Sequence, residues 1–318
     1  MDTTAKEKTL DIIAIGEGLV ELSSNSSLIV SETFNKYYAG DTLCSAVAAL
    51  RMGSSVGYIT KLGNDFFGEY LLDAWQLEGL DTSQIRLTNG QNGVYFIAKT
   101  VSGENQVQYY RKKTAAAQLS VDDINFSYIE NARMVYATGF VQSLSLCCKE
   151  VVQQVFEFAH QNDILVAYDP NFSPKVWSEE EALEAFESVA ENVDIVFLRD
   201  DSDAEALFGT QSIDEIIKRV SDMAIPTMVV KEYKKGIHVV HNGERQFLPY
   251  IAREIADATG ADAAFNGAFL HSLLEGSSPM ISAKFANTLS MLQIQKVGAI
   301  KSIPNAQSVK NLFREIYG

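Results

Sequence analysis

The segment Ile255–Phe269 reads I-A-D-A-T-G-A-D-A-A-F-N-G-A-F and joins a turn to an amphipathic helix. Asp257 and Gly260 belong to the turn, and apolar residues then recur at spacings of three and four, the helical period. The first backbone N–H groups of a helix have no partner within it, and the helix dipole favours an anion there. A small-residue loop before a helix therefore predicts either an anion site or close packing, and the segment alone leaves both open.

Outside this segment, runs typical of strands alternate with runs typical of helices. The first run, Leu10–Val20, is β-like, the alternation is regular from Met134, and after Gly260 three helical segments are broken near Gly276 and Pro304. Such alternation favours a mainly parallel sheet covered by helices on both faces. We expect one three-layer α/β/α domain that spans residues 1–318.

Two segments, near residues 24–38 and 92–112, interrupt this alternation. The second contains two strand-like runs, Val94–Lys99 and Gln106–Arg111, around Ser102-Gly103-Glu104, which is typical of a hairpin. We expect both segments to form a small β lid over the carboxyl ends of the parallel strands, where such sheets bind ligands.

Composition excludes several classes of function. The 318 residues are 47% hydrophobic, and 26 basic against 41 acidic residues give a net charge of −15, which disfavours nucleic acid or an acidic membrane as a partner. The three cysteines match neither a disulfide framework nor a metal site. The N-terminus lacks the apolar core of a signal peptide, and no apolar run approaches membrane-spanning length. We expect a reduced, cytoplasmic protein.

The segment Asp257–Phe265 resembles the C-terminal signature of the ribokinase-like (PfkB) sugar kinases, D-T-T-G-A-G-D-A-F. In that family the small-residue loop cradles the transferring phosphate, and the second Asp removes the proton from the sugar hydroxyl. The resemblance therefore implies phosphate contacts from Thr259, Gly260 and Ala261.

Two adjacent residues depart from this signature. Asp262 stands where the second Gly is expected, and Ala263 stands where the catalytic Asp is expected. Asp262 would have to replace the missing base from a position rotated by about 100° on the helix. Its charge beside the phosphate would also repel it.

The resemblance extends over roughly residues 10 to 305. Residues 37–43, Y-Y-A-G-D-T-L, are most like 2-keto-3-deoxygluconate kinases, and Asp169–Trp177 resembles D-P-N-Y-R-P-K-L-W. An arginine guanidinium can hold the carboxylate of a sugar acid through two hydrogen bonds, and tyrosine hydroxyls can form hydrogen bonds with sugar hydroxyls. Read without the family, these residues form a turn with a helix cap and an exposed hairpin with cross-strand aromatics. The resemblance implies sugar-acid contacts from Gly40, Asp41, Tyr95, Tyr109, Arg111, Asp169 and Asn171.

The nucleotide side of the resemblance lies further along the chain. Lys231–Val239 resembles the family's nucleotide-side strand and glycine turn, and Ala286–Ala299 the helix that walls the adenine pocket. This implies ATP and Mg²⁺ as cofactors. Asp200, Asp201 and Asp203 could attract Mg²⁺ weakly or form a solvated helix cap, so no metal ligand is assigned. The implied nucleotide contacts are Lys231, Gly236 and Asn287.

Lid sheets in this family commonly pair between subunits. Val94, Phe96, Val107 and Tyr109 alternate with polar residues, which predicts one apolar lid face. Since an uncovered sheet edge is also a template for pairing, we expect a homodimer formed through the lid.

Packing motifs are kept while positions that carry chemistry differ, at Cys44, Ser173, Arg199, Asp262 and Ala263. The resemblance implies ATP-dependent phosphorylation of a keto sugar acid, with 2-keto-3-deoxygluconate as the leading candidate. The departures predict impaired catalysis. The alternative is a pseudokinase that acts as a sugar-binding, nucleotide-binding or protein-interaction module.

Overall fold

The computed structural model describes residues 8–99, 105–251 and 253–318, and in these residues the strands form two sheets. The strands are β1 Leu10–Ile15, β2 Leu19–Ser24, β3 Asn35–Ala39, β4 Val56–Gly63, β5 Ile85–Thr88, β6 Gly93–Lys99, β7 Asn105–Tyr110, β8 Ala132–Thr138, β9 Leu165–Asp169, β10 Ile195–Arg199, β11 Thr227–Glu232, β12 Gly236–His241 and β13 Glu244–Pro249.

Helices connect most of these strands and form the C-terminal region. They are α1 Asp41–Met52, α2 Phe66–Glu78, α3 Phe126–Ile129, α4 Gly139–Gln142, α5 Leu146–Gln161, α6 Glu179–Glu187, α7 Glu205–Phe208, α8 Ile213–Asp222, α9 Ala261–Leu274, α10 Pro279–Gln293 and α11 Ala306–Tyr317. In the described part of the chain, no helix combines the length and the hydropathy needed to span a bilayer.

The larger sheet has the order β13-β12-β11-β10-β9-β8-β1-β4-β5. Neighbours from β11 to β5 are parallel, and the hairpin β12–β13 adds antiparallel strands at one edge. Strands covered on both faces are apolar on both faces, and β1 shows this directly. Ile12 and Ala14 belong to one core, while Ile13 and Ile15 belong to the other. The predicted mainly parallel sheet is confirmed.

Helices cover both faces of this sheet. Phe269 of α9 packs edge-on against Phe197 of β10, with ring centroids 5.4 Å apart. In the other core, Phe186 of α6 stacks on Tyr168 of β9 at 5.8 Å. The first core is completed by α1, α2, α10 and α11, and the second by α3, α5 and α8. The predicted three-layer α/β/α architecture is confirmed.

The smaller sheet is the lid, with the order β3-β2-β6-β7. It includes both predicted segments and also Leu19–Ser24, which the sequence pattern had joined to the strand before it. The run Leu10–Val20 divides at Gly16–Gly18, where the chain passes from one sheet to the other. A Cβ at Gly18 would lie 2.1 Å from the Trp75 ring, so the link passes too close to α2 for a side chain. The predicted turn Ser102–Glu104 lies outside the described residues.

The two faces of the lid differ from the expectation. Tyr95 pairs with Tyr109 and Ile97 with Val107, so these four side chains share one face. Val94 and Phe96 lie on the opposite face. The predicted single apolar face made of Val94, Phe96, Val107 and Tyr109 is therefore wrong. Residues two apart in one strand share a face, but the pairing register decides which residues of the neighbouring strand lie on that face.

Candidate active site

Four neighbouring parallel strands carry polar residues at the same edge of the central sheet. Thr138, Asp169 and Arg199 are the last residues of β8, β9 and β10, and Lys231 is the penultimate residue of β11. The register pairs Thr138 with Asp169 and Arg199 with Lys231. Because the carboxyl ends of parallel strands are where open α/β sheets bind ligands, these side chains mark the base of a candidate site.

A cavity of about 400 Å³, here called the lid cavity, lies between the lid and this edge of the sheet. Its walls include the start of α9 and the segment that follows β9. Among the residues predicted to contact a sugar acid, the structure places Gly40, Asp41, Tyr95, Tyr109 and Asn171 in its lining.

Asp41, the first residue of α1, presents a carboxylate to the lid cavity. Its Oδ2 accepts hydrogen bonds from the Thr138 hydroxyl and from Asn171 Nδ2, the latter at 3.2 Å. Its Oδ1 is buried and has no hydrogen-bond partner among the described residues. A buried acceptor without a donor is costly, so this oxygen suits a ligand hydroxyl.

Tyr95 and Tyr109 stack on the lid side of the cavity, with ring centroids 5.7 Å apart. The Tyr95 hydroxyl donates to the buried carboxylate of Glu21. Burial raises the pKa of Glu21, although the hydrogen bond from Tyr95 opposes this shift. Because that hydroxyl already has a partner within the lid, Tyr95 offers its ring rather than a free hydroxyl to the cavity.

Arg111 is placed behind the cavity wall rather than in its lining. Its side chain is 7% exposed and pairs with Glu17 at 2.7 Å, and it also donates to the Phe140 carbonyl at 2.9 Å and the Ser143 hydroxyl at 3.1 Å. Its guanidinium lies 3.8 Å from the centre of the Phe140 ring, and Phe140 does line the cavity. This placement makes Arg111 a support for the wall, because its donors are used inside the protein.

Asp169 is also buried beneath the lid cavity and is absent from its lining. Its Oδ1 accepts from the Asn171 backbone N–H at 2.9 Å, and its Oδ2 accepts from Asn266 Nδ2 at 2.6 Å. Burial and the nearby charge of Asp203 raise the pKa of Asp169 to about 7, against the opposing charges of Lys231 and Arg199. Asp169 therefore positions Asn171, which does reach the cavity.

The loop before α9 brings small residues to the lid cavity. Its lining includes Thr259, Gly260 and Ala261, the residues for which phosphate contacts were an expectation. Gly260 has a φ of 76°, a left-handed conformation that favours glycine. The N–H groups of the first helical turn have no partner within the helix, so those of Asp262 and Ala263 are available at this end.

Asp262, whose side chain is 53% exposed, pairs with two cations. Its Oδ1 lies 2.9 Å from Lys231 Nζ, and its Oδ2 lies 3.9 Å from an Arg199 guanidinium nitrogen. Desolvation would raise the pKa of Asp262, but the charges of Lys231 and Arg199 and the Lys231 hydrogen bond lower it below its ordinary value. The carboxylate is therefore ionised and is a weakened base.

Ala263 contributes only a methyl group to the lid cavity. Its carbonyl accepts a hydrogen bond from the Ser45 hydroxyl at 2.7 Å, which joins the start of α9 to α1. Nearby, Cys44 also lines the cavity, and burial raises the pKa of its thiol to about 12, so the thiol is neutral. Neither residue can take a proton from a ligand at neutral pH.

A second pocket of about 530 Å³, here called the hairpin pocket, lies between α10 and the turn from β11 to β12. Its walls are largely apolar, and its lining includes Lys231 and Asn287, two residues that the sequence predicts as nucleotide contacts. Arg199, Ala258, Ala261 and Asp262 line both cavities, so the two meet at the start of α9. The apolar residues of its lining include Ile237, Tyr250, Ile251, Ile255, Phe265, Met291 and Ile294.

The comparisons with known proteins identify the family of the chain. The sequence model of the pfkB family carbohydrate kinases matches residues 9–306. The chain belongs to the pfkB family. It is 30% identical to the 2-dehydro-3-deoxygluconokinase of Escherichia coli K12, over 91% of this chain and 96% of that protein.

Two further comparisons cover nearly the whole chain. The chain is 28% identical to the 5-dehydro-2-deoxygluconokinase of Clostridium beijerinckii, over 98% of this chain and 94% of that protein. The crystal structure of a fructokinase with bound ATP from Xylella fastidiosa superimposes with a TM-score of 0.85 at 21% identity, over 97% of this chain and 99% of that one. The fold is ribokinase-like.

The residues of the hairpin pocket fit the nucleotide that pfkB kinases use. The apolar walls suit a purine ring, and Asn287 adds an amide to the lining. Gly236 lies beside the pocket rather than in its lining, where a Cβ would lie 2.4 Å from the Leu248 carbonyl. Its role is the close approach of β12 to β13.

The acidic residues after β10 do not fit a magnesium site. Asp203 is buried and accepts from the backbone N–H groups of Phe172 and Arg199, at 2.7 and 2.8 Å. Asp200 accepts from the Tyr233 N–H at 2.9 Å, which leaves Asp201 as the exposed carboxylate. Among the described residues, no group of three or more His, Cys, Asp or Glu side chains could hold a metal ion.

Two residues that sequence reasoning did not assign to the site occupy central positions. Arg199 lines both cavities, close to Ser173, which stands where the pfkB signature has an arginine. Asn266 of α9 bonds Lys231 through Oδ1 at 3.2 Å and Asp169 through Nδ2 at 2.6 Å. Arg199 was identified only as a departure from the family pattern, and Asn266 carried no local signal beyond being polar on a buried helix.

Proposed function

We propose that the protein binds a sugar acid in the lid cavity and a nucleotide in the hairpin pocket, and transfers a phosphoryl group between them only slowly. One observation carries the proposal: at the start of α9, where the cavities meet, Ala263 lacks a base and the carboxylate of Asp262 is paired with Lys231 and Arg199.

The lid cavity supplies groups that suit a sugar acid. The unpartnered Oδ1 of Asp41 accepts a sugar hydroxyl, and Asn171, on the same side, adds an amide. Arg199 supplies the cation for the sugar carboxylate, since its side chain is 31% exposed and reaches this cavity. It takes the part of the signature arginine that Ser173 replaces, and of Arg111, whose donors are used inside the protein. The relatives named as kinases of dehydro-deoxygluconates support a keto sugar acid as the ligand.

The phosphate would lie at the start of α9, between the two cavities. The free N–H groups of the first helical turn and the side chain of Lys231 are suited to stabilise it. ATP, when bound, would supply the phosphoryl group. Arg199 and Lys231 would hold its phosphates, and the apolar walls of the hairpin pocket would orient its base.

Transfer requires that the sugar hydroxyl lose a proton. Ala263 cannot accept it, and the pKa of Asp262 is lowered by its cations, so its carboxylate is a poor acceptor. A positioned general base contributes on the order of 10²–10⁴-fold to rate. We therefore propose turnover reduced by about that factor relative to an intact site.

The second candidate is a pseudokinase that binds a sugar or nucleotide, or serves as a protein-interaction module, without transfer. The pairing of Asp262 with both Lys231 and Arg199 favours it, because that pairing occupies the cations that a transferring phosphate would use. Ligand binding without turnover distinguishes this candidate from a slow kinase.

A coupled ATP-consumption assay over a panel of sugar acids tests the proposal, with Ala263→Asp beside the isosteric Ala263→Asn as control. We expect wild-type turnover far below the roughly 1–100 per second usual for kinases. Of the two variants, only Ala263→Asp should raise it, and by a small factor, because Asp262 still holds Lys231 and Arg199. Wild-type turnover within that range would contradict the proposal, and equal rates for both variants would show that the missing base is not the cause.

A further inference from the structure

We propose that the hairpin pocket selects a nucleoside diphosphate and needs no divalent cation, because the carboxylate of Asp262 occupies the place of the transferable phosphate. This inference rests on the proposed function in one respect, that the hairpin pocket holds a nucleotide. It adds which nucleotide is bound and what replaces the metal.

The position of Asp262 is the first support. Of the residues that line both cavities, only Arg199 and Asp262 carry charge, and any group that passes from one cavity to the other must cross this junction. The Asp262 carboxylate lies there, 2.9 Å from Lys231 Nζ. A terminal phosphate would have to displace this carboxylate or accept its repulsion, whereas a diphosphate ends before the junction.

The charge of the hairpin pocket is the second support. Its lining contains Arg199, Lys231, Lys234 and Arg253 against Asp201 and Asp262, which gives 4 − 2 = +2. The whole chain carries −15, so this is a local reversal of sign. A positively lined pocket in an acidic protein attracts a small polyanion. Asp262 neutralises part of the charge of Lys231 and Arg199, and Lys234 and Arg253 supply the remaining positive charge of the lining.

The guanidinium of Arg199 is the third support. Arg199 lies at the junction of the two cavities, and its side chain pairs with Asp203 at 3.3 Å. Asp203 and Asp262 raise the pKa of Arg199, although desolvation lowers it, so the guanidinium keeps its charge. A fixed cation at this position repels Mg²⁺ and takes over its task of neutralising phosphate oxygens.

Calorimetric titration of the full chain tests the inference. ADP and ATP are each titrated without sugar, once in EDTA and once in excess MgCl₂. In EDTA we expect ADP to bind more tightly than ATP by a factor of about ten or more, since the Asp262 carboxylate repels the third phosphate of ATP. Magnesium should change the affinity for ADP by less than about threefold.

Two isosteric variants separate charge at the junction from charge in the pocket. Asp262→Asn should tighten ATP binding by about tenfold and change ADP binding by less than about threefold. Asp201→Asn, which removes a negative charge from the lining of the same pocket, is the matched control and should affect both nucleotides alike.

Several results would overturn the inference: tighter binding of ATP than of ADP, a magnesium requirement for ADP, or equal effects of Asp262→Asn on both nucleotides. Failure of both nucleotides to bind would also overturn it. A parallel titration with sugar acids and the turnover assay test the proposed function separately. Rapid turnover would contradict that function, whereas sugar-acid binding with slow turnover would leave it standing.

Discussion

Lys231 contacts Asp262 at two points, because its Nζ lies 2.9 Å from the carboxylate Oδ1 and 3.2 Å from the backbone carbonyl of the same residue. The lysine also donates a hydrogen bond to Asn266 Oδ1 at 3.2 Å. Its three donor positions are therefore directed to α9. A phosphate that enters this site competes with a carboxylate that belongs to the protein.

The first prediction concerns the two departures in α9 together. Ala263→Asp alone should recover little activity, because Asp262 still holds Lys231 and Arg199. Asp262→Gly alone should recover little, because no base is present. The double variant should exceed the product of the two single effects by about tenfold or more, since both residues act on one site. Initial rates of ATP consumption measure this coupling. Simple multiplicative behaviour would leave slow catalysis in place but would refute the coupling between the two residues.

The second prediction concerns Arg111. Arg111→Met leaves the buried carboxylate of Glu17 without its guanidinium, and burial already raises the pKa of Glu17. The free energy of unfolding should fall by about 3–5 kcal/mol, and adding Glu17→Gln should restore part of it. Urea denaturation measures both. A loss below about 1 kcal/mol together with a tenfold weaker affinity for a sugar acid would instead indicate direct contact with the ligand.

The third prediction concerns pH. The pKa of Asp169 is raised to about 7 in the folded protein, above the ordinary aspartate value of about 3.9. The folded state thus binds this proton more tightly, so the free energy of unfolding falls as pH rises from about 4 to 7, and the penalty is complete above that range. Urea denaturation at pH 5 and pH 8 should show a larger loss for the wild type than for Asp169→Asn. The exposed Asp222→Asn should behave like the wild type, and an unchanged pH dependence in Asp169→Asn would disprove the assignment.

The fourth prediction concerns the outer face of the lid. Phe34, Phe96 and Tyr110 form a row of aromatic contacts on the side away from the lid cavity, and Tyr110 is 62% exposed. We expect this face to pair two copies of the chain, each of 35.1 kDa. Light scattering at micromolar concentration should give the mass of a dimer, and Phe96→Glu should give the mass of a monomer. Phe66→Glu, at an exposed phenylalanine of α2, is the matched control, and a monomeric wild type would refute the prediction.

The sequence by itself was sufficient to predict the architecture and to show that the base of the family signature is absent. Buried parallel strands must be apolar on both faces and helices must follow the 3.6-residue period, so both patterns are local and readable. The loop around Gly260 and the change at Ala263 lie within one short signature, and the structure places both residues in the lining of the lid cavity.

Only the tertiary structure decided what the charged side chains do. Arg111 and Arg199 are both arginines near strand ends, yet Arg111 is buried against Glu17 and Arg199 reaches both cavities. Their partners are 94 residues away in the chain for Arg111 and 63 residues away for the contact of Arg199 with Asp262. Sequence patterns report the period and polarity of a segment, but the partner of a charge depends on which distant segments meet. For that reason the pairing of Asp262 with Lys231 and Arg199 emerged only from the folded chain.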